Sequence, residues 1–304
     1  MKNELKKIIF PEGENERIIA AAKVLKEKKI AEPILVGKNK IEGIEVVEPD
    51  TFRDKEQFAE ELSKITKFPI DIAQKMILHP LYFAAIYLKL NKADGMIGGC
   101  VFTSGEFITV AKQIIGLEKN ISIPSSFFLM EIPNYKGGEN GKLIFADASV
   151  NAEPNAEQLA DIAITTGNTA KNLFHWEPRI AMLSFSTKGS ASHPLVDKVI
   201  TATKIAKKKA PEMAIDGELQ VDAALREDVA KRKMKEIGKV AGKANVLIFP
   251  DLDAANIGYK LVNILAQAQA LGPILQGFNK PLSDLSRGVK IEEIVKIAQI
   301  LLTK

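Results

Sequence analysis

The beginning of the chain is patterned as a strand, a turn and a helix. A short apolar run, residues 7–10, is followed by an acidic turn containing Pro and Gly, and then by a segment, 14–28, with apolar residues at helical spacing. A second apolar run, 33–36, ends at Gly37. Helical periodicity then recurs over 55–66, 69–78 and 81–90. We therefore expect a first lobe that begins as α/β and becomes helical.

The pattern in the middle of the chain predicts a strand followed by a glycine-containing loop and a helix, and then a β-hairpin. Residues 93–97 are typical of a buried strand that ends at Gly98 and Gly99, and 106–115 has the pattern of the next helix. Further along, two apolar runs predict strands on either side of the Gly-rich hairpin loop 136–141. Those runs are 125–132 and 142–146.

From Asn155 onward, helical segments alternate with apolar runs, which is typical of parallel βαβ units. The runs are 179–185, 214–216 and 245–250. A last helix is expected over 291–302. The pattern predicts an α/β protein whose second lobe, 139–288, is a doubly wound sheet. The first lobe would comprise 1–138 together with 289–304.

Composition narrows the class of protein. The chain has 304 residues, more than a single hydrophobic core usually serves, and 46% of them are hydrophobic and 26% charged, as in ordinary globular proteins. Lys and Arg number 42 against 38 Asp and Glu, and a net charge of +4 is far from the basic stripe of a nucleic-acid binder. A mild positive excess suits small phosphorylated ligands.

The few cysteine and histidine residues indicate a protein of a reducing compartment without a Cys/His zinc site. The single cysteine, Cys100, excludes an intramolecular disulfide, and three scattered histidines do not supply a Cys/His zinc cluster; they are His79, His175 and His193. No stretch approaches the roughly 20 apolar residues of a membrane-spanning helix, and no export signal is visible. We expect a cytoplasmic protein with no membrane partner.

Four loops follow predicted strands, where open α/β sheets bind their ligands. They are 98–105, 184–192, 216–220 and 250–257. Small hydroxyl and glycine residues dominate two of them, and such loops can hold a phosphate. For each loop taken alone, ordinary turn chemistry is the simpler explanation, so their joint occurrence is the informative feature.

The strongest local candidate is the pair Ser286 and Arg287, just before the last helix. A hydroxyl next to a guanidinium suits an anionic transition state. A helix-start turn with a surface arginine is the alternative interpretation.

Dense motifs over essentially the whole chain resemble the phosphate acetyltransferase family. The first group of motifs is Phe145-Ala146-Asp147, 155–160 (NAEQLA), 181–190 (AMLSFSTKGS) and 215–224 (IDGELQVDAA). The second group is 240–246 (VAGKANV), 248–252 (IFPDL), 256–260 (NIGYK), 272–274 (GPI) and 284–288 (DLSRG). The resemblance implies reversible acetyl transfer between acetyl-coenzyme A and phosphate, giving acetyl phosphate and coenzyme A, in acetate metabolism.

The resemblance also implies an architecture and a set of partners. It implies a two-lobe doubly wound α/β fold like that of the isocitrate and isopropylmalate dehydrogenases, with the active site in the interlobe cleft, and a homodimer. Coenzyme A would be a substrate, with no permanently bound cofactor, metal or nicotinamide. A G-x-G-x-x-G dinucleotide loop is also missing from the sequence, which argues against a dehydrogenase.

Catalytic roles follow from the same resemblance. A carboxylate takes the proton of the coenzyme A thiol, and a Ser-Arg pair stabilises the developing oxyanion and phosphate; in this chain the pair is Ser286 and Arg287. The base falls on Glu293, where the family has aspartate, and the adjacent Glu292 leaves the assignment ambiguous by one residue. The expected substrate-binding residues are Ser184, Ser186, Thr187, Lys188, Gly189, Ser190, Asp251, Asn256, Lys112 and Thr109.

Three positions in the first lobe depart from the family pattern. Phe102 stands where the family has histidine, and Thr109 and, approximately, Ser63 stand where it has arginine. Each lost charge-assisted hydrogen bond is worth roughly 1.5–3 kcal/mol. Lys112, three residues after Thr109, would lie on the same helix face and replace part of the charge, although a solvated lysine is the simpler interpretation.

Two other functions stay open at this point. An apolar Phe102 favours a longer acyl group such as propionyl or butyryl. The missing arginines favour a catalytically weak relative that binds coenzyme A or an acyl phosphate, whereas an intact Ser286-Arg287 pair argues against it.

Overall fold

The structure is a computed structural model that describes residues 4–119 and 121–303. The chain divides into two compact units. Unit 1 comprises Met1–Glu118 and Phe278–Lys304, and unit 2 comprises Lys119–Gly277. The expected boundaries, at 138 and 288, lie further along the chain, because the whole hairpin after residue 124 belongs to unit 2 and the segment after Gly277 belongs to unit 1.

The strands, in chain order, are β1 (Lys7–Phe10), β2 (Glu32–Val36), β3 (Glu45–Val47), β4 (Gly95–Gly98), β5 (Ser125–Glu131), β6 (Lys142–Ala146), β7 (Arg179–Leu183), β8 (Ala214–Leu219), β9 (Val246–Ile248), β10 (Gln269–Gln276) and β11 (Leu282–Asp284).

The helices are α1 (Glu16–Glu27), α2 (Lys55–Thr66), α3 (Ile70–Met76), α4 (Pro80–Lys89), α5 (Ser104–Val110), α6 (Ala156–Phe174), α7 (Pro194–Lys209), α8 (Val221–Leu225), α9 (Glu227–Lys233), α10 (Leu252–Leu265) and α11 (Ile291–Leu301). A π-helical segment, Ala111–Ile115, continues α5.

Unit 1 is built on five parallel strands in the order β3-β2-β1-β4-β11. The last three residues of β1 and all of β4 are buried. Helices α1 and α11 pack against each other, and the final helix belongs to the first unit. Because all five strands run in the same direction, their carboxyl ends and the loops that follow them lie at one edge.

Unit 2 combines an antiparallel and a parallel half. Strands β10, β5 and β6 are antiparallel neighbours, and β6, β9, β7 and β8 form parallel pairs. The predicted hairpin around 136–141 is confirmed. The described residues therefore form a mixed α/β fold whose strands are mostly parallel.

Several elements differ from the sequence expectation. Strands β3 and β11 have three residues each, too few for a recognisable pattern, and β10 contains the Gly272-Pro273 pair that usually marks a turn. The expected loop 216–220 was wrong over most of its length, because β8 continues to Leu219. Its polar residues Asp216 and Glu218 are therefore strand residues.

Candidate active site

A buried glutamate organises the loop after β4. Glu12, just beyond β1, accepts hydrogen bonds from four consecutive backbone N–H groups: Gly99 (3.2 Å), Cys100 (2.7 Å), Val101 (2.7 Å) and Phe102 (2.8 Å). Four donors match the acceptor capacity of one carboxylate. The loop that was expected to hold a phosphate therefore uses these N–H groups internally.

The same loop packs on the segment after β11. Gly99 has φ +103°, and a Cβ there would lie 2.6 Å from Leu285 N and 2.5 Å from Leu285 O, so only glycine fits. Leu285 N donates to Gly98 O at 2.5 Å. The close approach holds together the loops after β4 and β11.

Ser286 and Arg287 lie exposed in the turn between β11 and α11. Arg17, in the first turn of α1, donates from Nη1 to Arg287 O (2.6 Å) and to Val289 O (3.1 Å). These bonds hold the main chain of the turn and leave the side chains of Ser286 and Arg287 open to a solute.

Glu293 stands at the start of α11, where it caps the helix. Its Oε2 accepts from Lys290 N at 2.9 Å. A glutamate at this position commonly makes this bond and is favoured by the helix dipole. Glu292 is exposed. The bond from Lys290 N involves Oε2 of Glu293 and not its Oε1.

Asp284 ends β11, two residues before Ser286. Its side chain is buried, with 1% of the residue exposed, and neither carboxylate oxygen has a hydrogen-bond partner. Burial raises the pKa of Asp284 to about 6. The hydroxyl of Ser104 acts to lower this pKa, although it makes no hydrogen bond of normal geometry to the carboxylate. The negative charge of Glu12 acts to raise it. In the sequence, Asp284 is distinguished only as part of the family motif 284–288.

A cavity of about 670 Å³ opens at the carboxyl ends of β1, β2 and β3. Its apolar lining includes Val36, Leu78 and Phe102, and its charged lining is Glu12, Glu14, Glu48, Asp50 and Lys38. The Phe102 ring lies 5.3 Å from the ring of His79, so an imidazole contacts the residue that replaced the family histidine. Nothing in the sequence indicated His79 as a neighbour of Phe102.

Thr109 and Lys112 are both exposed on the helix that follows this loop. The expectation that they share a face assumed α-helical spacing. That spacing ends at Val110, where the chain widens into π-helical turns, and the angle between successive residues changes. Ser63 lies on α2, and its hydroxyl donates to Phe68 O at 2.7 Å.

In unit 2, the loop after β7 is closed around Glu218. Glu218 Oε1 accepts from Ser186 Oγ (3.0 Å) and from Gly189 N (2.6 Å). Thr187 Oγ1 accepts from Gln220 N at 3.0 Å, and both Ser186 and Thr187 are buried. These two hydroxyls thus hold the loop on β8.

The remaining loop candidates are more accessible. Lys188, Gly189 and Ser190 are exposed and Ser184 is half-buried. Lys188 Nζ contacts Asp216 Oδ1 at 2.6 Å, and Lys207 reaches the same oxygen at 3.1 Å. Although burial of Asp216 acts to raise its pKa, the two lysines hold that pKa below its usual value.

Asp251 and Asn256 belong to α10. Asp251 is its N-cap and accepts from Ala254 N at 2.8 Å. Asn256 is partly buried one turn further along. The capping bond gives Asp251 a structural role irrespective of any substrate contact.

Within 4–119 and 121–303, no group of three His, Cys, Asp or Glu residues is arranged to hold a metal ion. In the same residues, no helix has the length and apolar character needed to cross a membrane.

A family model described as phosphate acetyl/butaryl transferase matches residues 1–302. The chain belongs to this family. The resemblance deduced from the motifs is thus confirmed, and with it the class of enzyme, an acyltransferase. Since the match spans both units, it covers the Ser286-Arg287 turn and the loop around Glu218 alike.

Individual relatives agree with the family match. The chain is 47% identical to a phosphate acetyltransferase of Clostridium acetobutylicum, over 98% of this chain and 94% of that protein. It is 46% identical to one of Thermoanaerobacterium thermosaccharolyticum, over 97% and 94% of the two chains. The crystal structure of a phosphotransacetylase from Streptococcus pyogenes is similar with a TM-score of 0.92 and 39% identity, covering 100% of this chain and 94% of that one.

Proposed function

We propose that this chain is a phosphate acetyltransferase, which transfers an acetyl group reversibly between acetyl-coenzyme A and inorganic phosphate. The observation that carries the proposal is the exposed Ser286-Arg287 pair on a turn whose backbone is fixed by Arg17. A fixed backbone with open side chains is the arrangement that preorganised stabilisation of an anion requires. The full-length relatives named above support the same activity.

The reaction is best followed toward acetyl-coenzyme A. The thiol proton passes to the carboxylate of Glu293, and the thiolate attacks the carbonyl carbon of acetyl phosphate. A C–S bond forms, the bond from that carbon to the phosphate oxygen breaks, and phosphate leaves with the electron pair. Ser286 donates a hydrogen bond to the oxyanion, and Arg287 pairs with the phosphate.

Contributions from unit 2 are part of the proposal. We propose that the accessible residues of its loops contact the substrates, namely Ser184, Lys188, Gly189, Ser190 and Asn256. Ser186 and Thr187 are buried and Asp251 caps α10, so these three residues act indirectly. The two-lobe dehydrogenase-like architecture with an interlobe active site, and the cytoplasmic location, stay predictions.

The test is a direct assay of thioester formation. Coenzyme A is supplied with acetyl, propionyl or butyryl phosphate, and absorbance of the new thioester is followed. We expect acetyl phosphate to give the highest kcat/KM. A preference for butyryl phosphate would favour a longer-chain acyltransferase, a candidate that Phe102 in the apolar lining of the cavity supports. No product from any of the three would indicate a weak coenzyme-binding relative.

Lys112 is proposed to supply positive charge near the position of the lost family arginine. Lys112→Ala should raise the KM for phosphate or coenzyme A and change kcat less, and rising ionic strength should weaken binding less than in the wild type. Thr109→Arg should lower that KM, and the two changes should be non-additive if both cations serve one anion. Kinetics and salt dependence like those of the wild type would identify Lys112 as a solvated lysine.

We propose that the protein is a homodimer and that a row of exposed apolar residues along α10 forms the interface. Ile257, Leu261, Ile264 and Leu265 are 59, 51, 71 and 78% exposed. Spaced by three, four or one residues, they form one face of the helix, which water solvates poorly. Leu261→Glu should therefore shift the mass in sedimentation from dimer to monomer. A wild-type mass of 33.3 kDa, that of one chain, would contradict the dimer.

A further inference from the structure

Asp284 is a buried carboxylate that the proposed mechanism does not use. Both of its carboxylate oxygens lack a hydrogen-bond partner and are shielded from water. Buried polar groups are nearly always satisfied, because an unpaired one loses its hydration without compensation. An unpaired carboxylate at the root of the Ser286-Arg287 turn is thus a costly feature that calls for a physical explanation.

Apart from the Ser104 hydroxyl, which acts to lower the pKa of Asp284, the groups around this carboxylate do little to stabilise a negative charge. Glu12 has its own oxygens filled by four N–H donors and adds a second negative charge. The Cys100 thiol, with its pKa raised to about 11 chiefly by burial, stays uncharged near neutral pH. Arg17 donates to the carbonyls of Arg287 and Val289. Helix α11, which packs against β11, brings two further carboxylates in its first turn, Glu292 and Glu293.

We propose that Asp284 takes up a proton when an anion binds at Ser286 and Arg287, and so acts as a positioning residue of the phosphate site. The inference rests on the proposed function, which places the phosphoryl group at Arg287. Protonation removes a buried negative charge that has no hydrogen-bond partner and lies two residues before Ser286. Asp284 is therefore neutral when an anion is bound at the turn and charged when the turn is free.

The magnitude follows from the distance along the chain. Two residues span at most about 7 Å of backbone, so a charged Asp284 and an anion at this turn lie close enough to repel each other. One pKa unit corresponds to a factor of ten in an equilibrium constant. We therefore expect at least about a tenfold difference in anion affinity between the two protonation states of Asp284.

Sulfate is the appropriate probe, since its charge is constant over the range in which Asp284 titrates, whereas phosphate titrates itself. Calorimetric titration of the wild type should show sulfate binding about sevenfold tighter or more near pH 5.5 than near pH 8, because Asp284 is mostly but not fully protonated at the lower pH. Repeating it in two buffers of different ionisation enthalpy near pH 7 should reveal proton uptake on binding. This wild-type measurement does not depend on any variant folding correctly.

Asp284→Asn mimics the protonated side chain. Its sulfate affinity should equal that of the wild type at low pH, stay constant up to about pH 8, and show no proton uptake. Asp94→Asn is the matched control: Asp94 precedes β4 at the opposite end of the strand and pairs with Lys7 N, so removal of its charge should leave the wild-type pH dependence unchanged.

Stability gives an independent readout. A carboxyl whose folded-state pKa is raised binds more protons folded than unfolded between about pH 4 and pH 6, so the stability it contributes falls as pH rises through that window. In urea unfolding, the free-energy difference between Asp284→Asn and wild type should therefore grow in favour of the variant from about pH 4 to pH 6 and stay constant above.

The outcomes separate this inference from the proposed function. Pronounced pH dependence in Asp284→Asn, or no proton uptake in the wild type, would overturn the role of Asp284. Arg287→Ala tests the site itself: if it binds sulfate as tightly as the wild type, the anion does not lie at Arg287 and the proposed function loses its support. Loss of sulfate binding in Arg287→Ala, with pH-independent binding in Asp284→Asn, supports both.

Discussion

Arg287→Ala should lower kcat by about a hundredfold or more while the protein stays folded. The guanidinium is exposed, and the contacts that fix the turn involve the backbone carbonyl of Arg287, which the substitution keeps. The loss would therefore come from the charge that stabilises the phosphate in the transition state. Steady-state kinetics together with thermal unfolding checks both parts of this expectation.

Matched variants isolate the chemistry from the change in net charge. Arg226→Ala also removes an exposed arginine, one that pairs with Asp228 in unit 2, and should leave kcat unchanged. Arg287→Lys keeps the charge without the bidentate geometry and should give an intermediate kcat. Ser286→Ala should have a milder effect than Arg287→Ala. A folded Arg287→Ala protein with the wild-type kcat would remove Arg287 from the mechanism.

Much of the fold was predictable from hydrophobic periodicity. Strand β1 and helix α2 have the predicted bounds, because each begins and ends where its apolar pattern does. The short strands β3 and β11 were not predicted: β11 has only three residues and is a strand because β4 offers it a parallel partner. Its placement depends on tertiary pairing, which a local sequence pattern does not contain.

The candidate site was predictable where residue type carries the chemistry. Ser286 and Arg287 followed from a family motif, and the structure shows them exposed on one turn. Glu12 and Asp284 were missed because their significance comes from burial and from hydrogen bonds. Both are carboxylates at strand ends, yet Glu12 accepts hydrogen bonds from four N–H donors, whereas Asp284 has no hydrogen-bond partner.

The hydroxyl-rich loop of unit 2 shows the limit of composition as a guide. Ser, Thr and Gly suit a phosphate loop, and they suit an internally bonded turn equally well. Here Ser186 and Thr187 are buried against β8, through Glu218 and Gln220, whereas Ser190 is exposed. Which hydroxyls remain accessible depends on strand β8, and the sequence pattern ended that strand too early.

Glu293→Gln should reduce the rate of acetyl transfer strongly, by about a hundredfold or more near neutral pH, because the amide does not accept the thiol proton. The side-chain oxygen of glutamine still accepts a hydrogen bond from Lys290 N, so the cap of α11 and the stability of the protein should persist. This substitution therefore separates the catalytic role of Glu293 from its structural role. The measurement is kcat against pH, with urea unfolding in parallel.

The pH profile decides the role of the carboxylate. If Glu293 is the base, the deficit of Glu293→Gln should shrink as pH rises, because free thiolate accumulates and no longer needs a proton acceptor. Glu292→Gln, a change of equal charge at the exposed neighbouring residue, should have little effect. A deficit that is constant with pH would indicate that Glu293 only caps the helix, and a larger loss in Glu292→Gln would move the base by one residue. Glu293→Asp restores the residue type of the family; a higher kcat than in the wild type would show that the longer side chain limits the proton transfer.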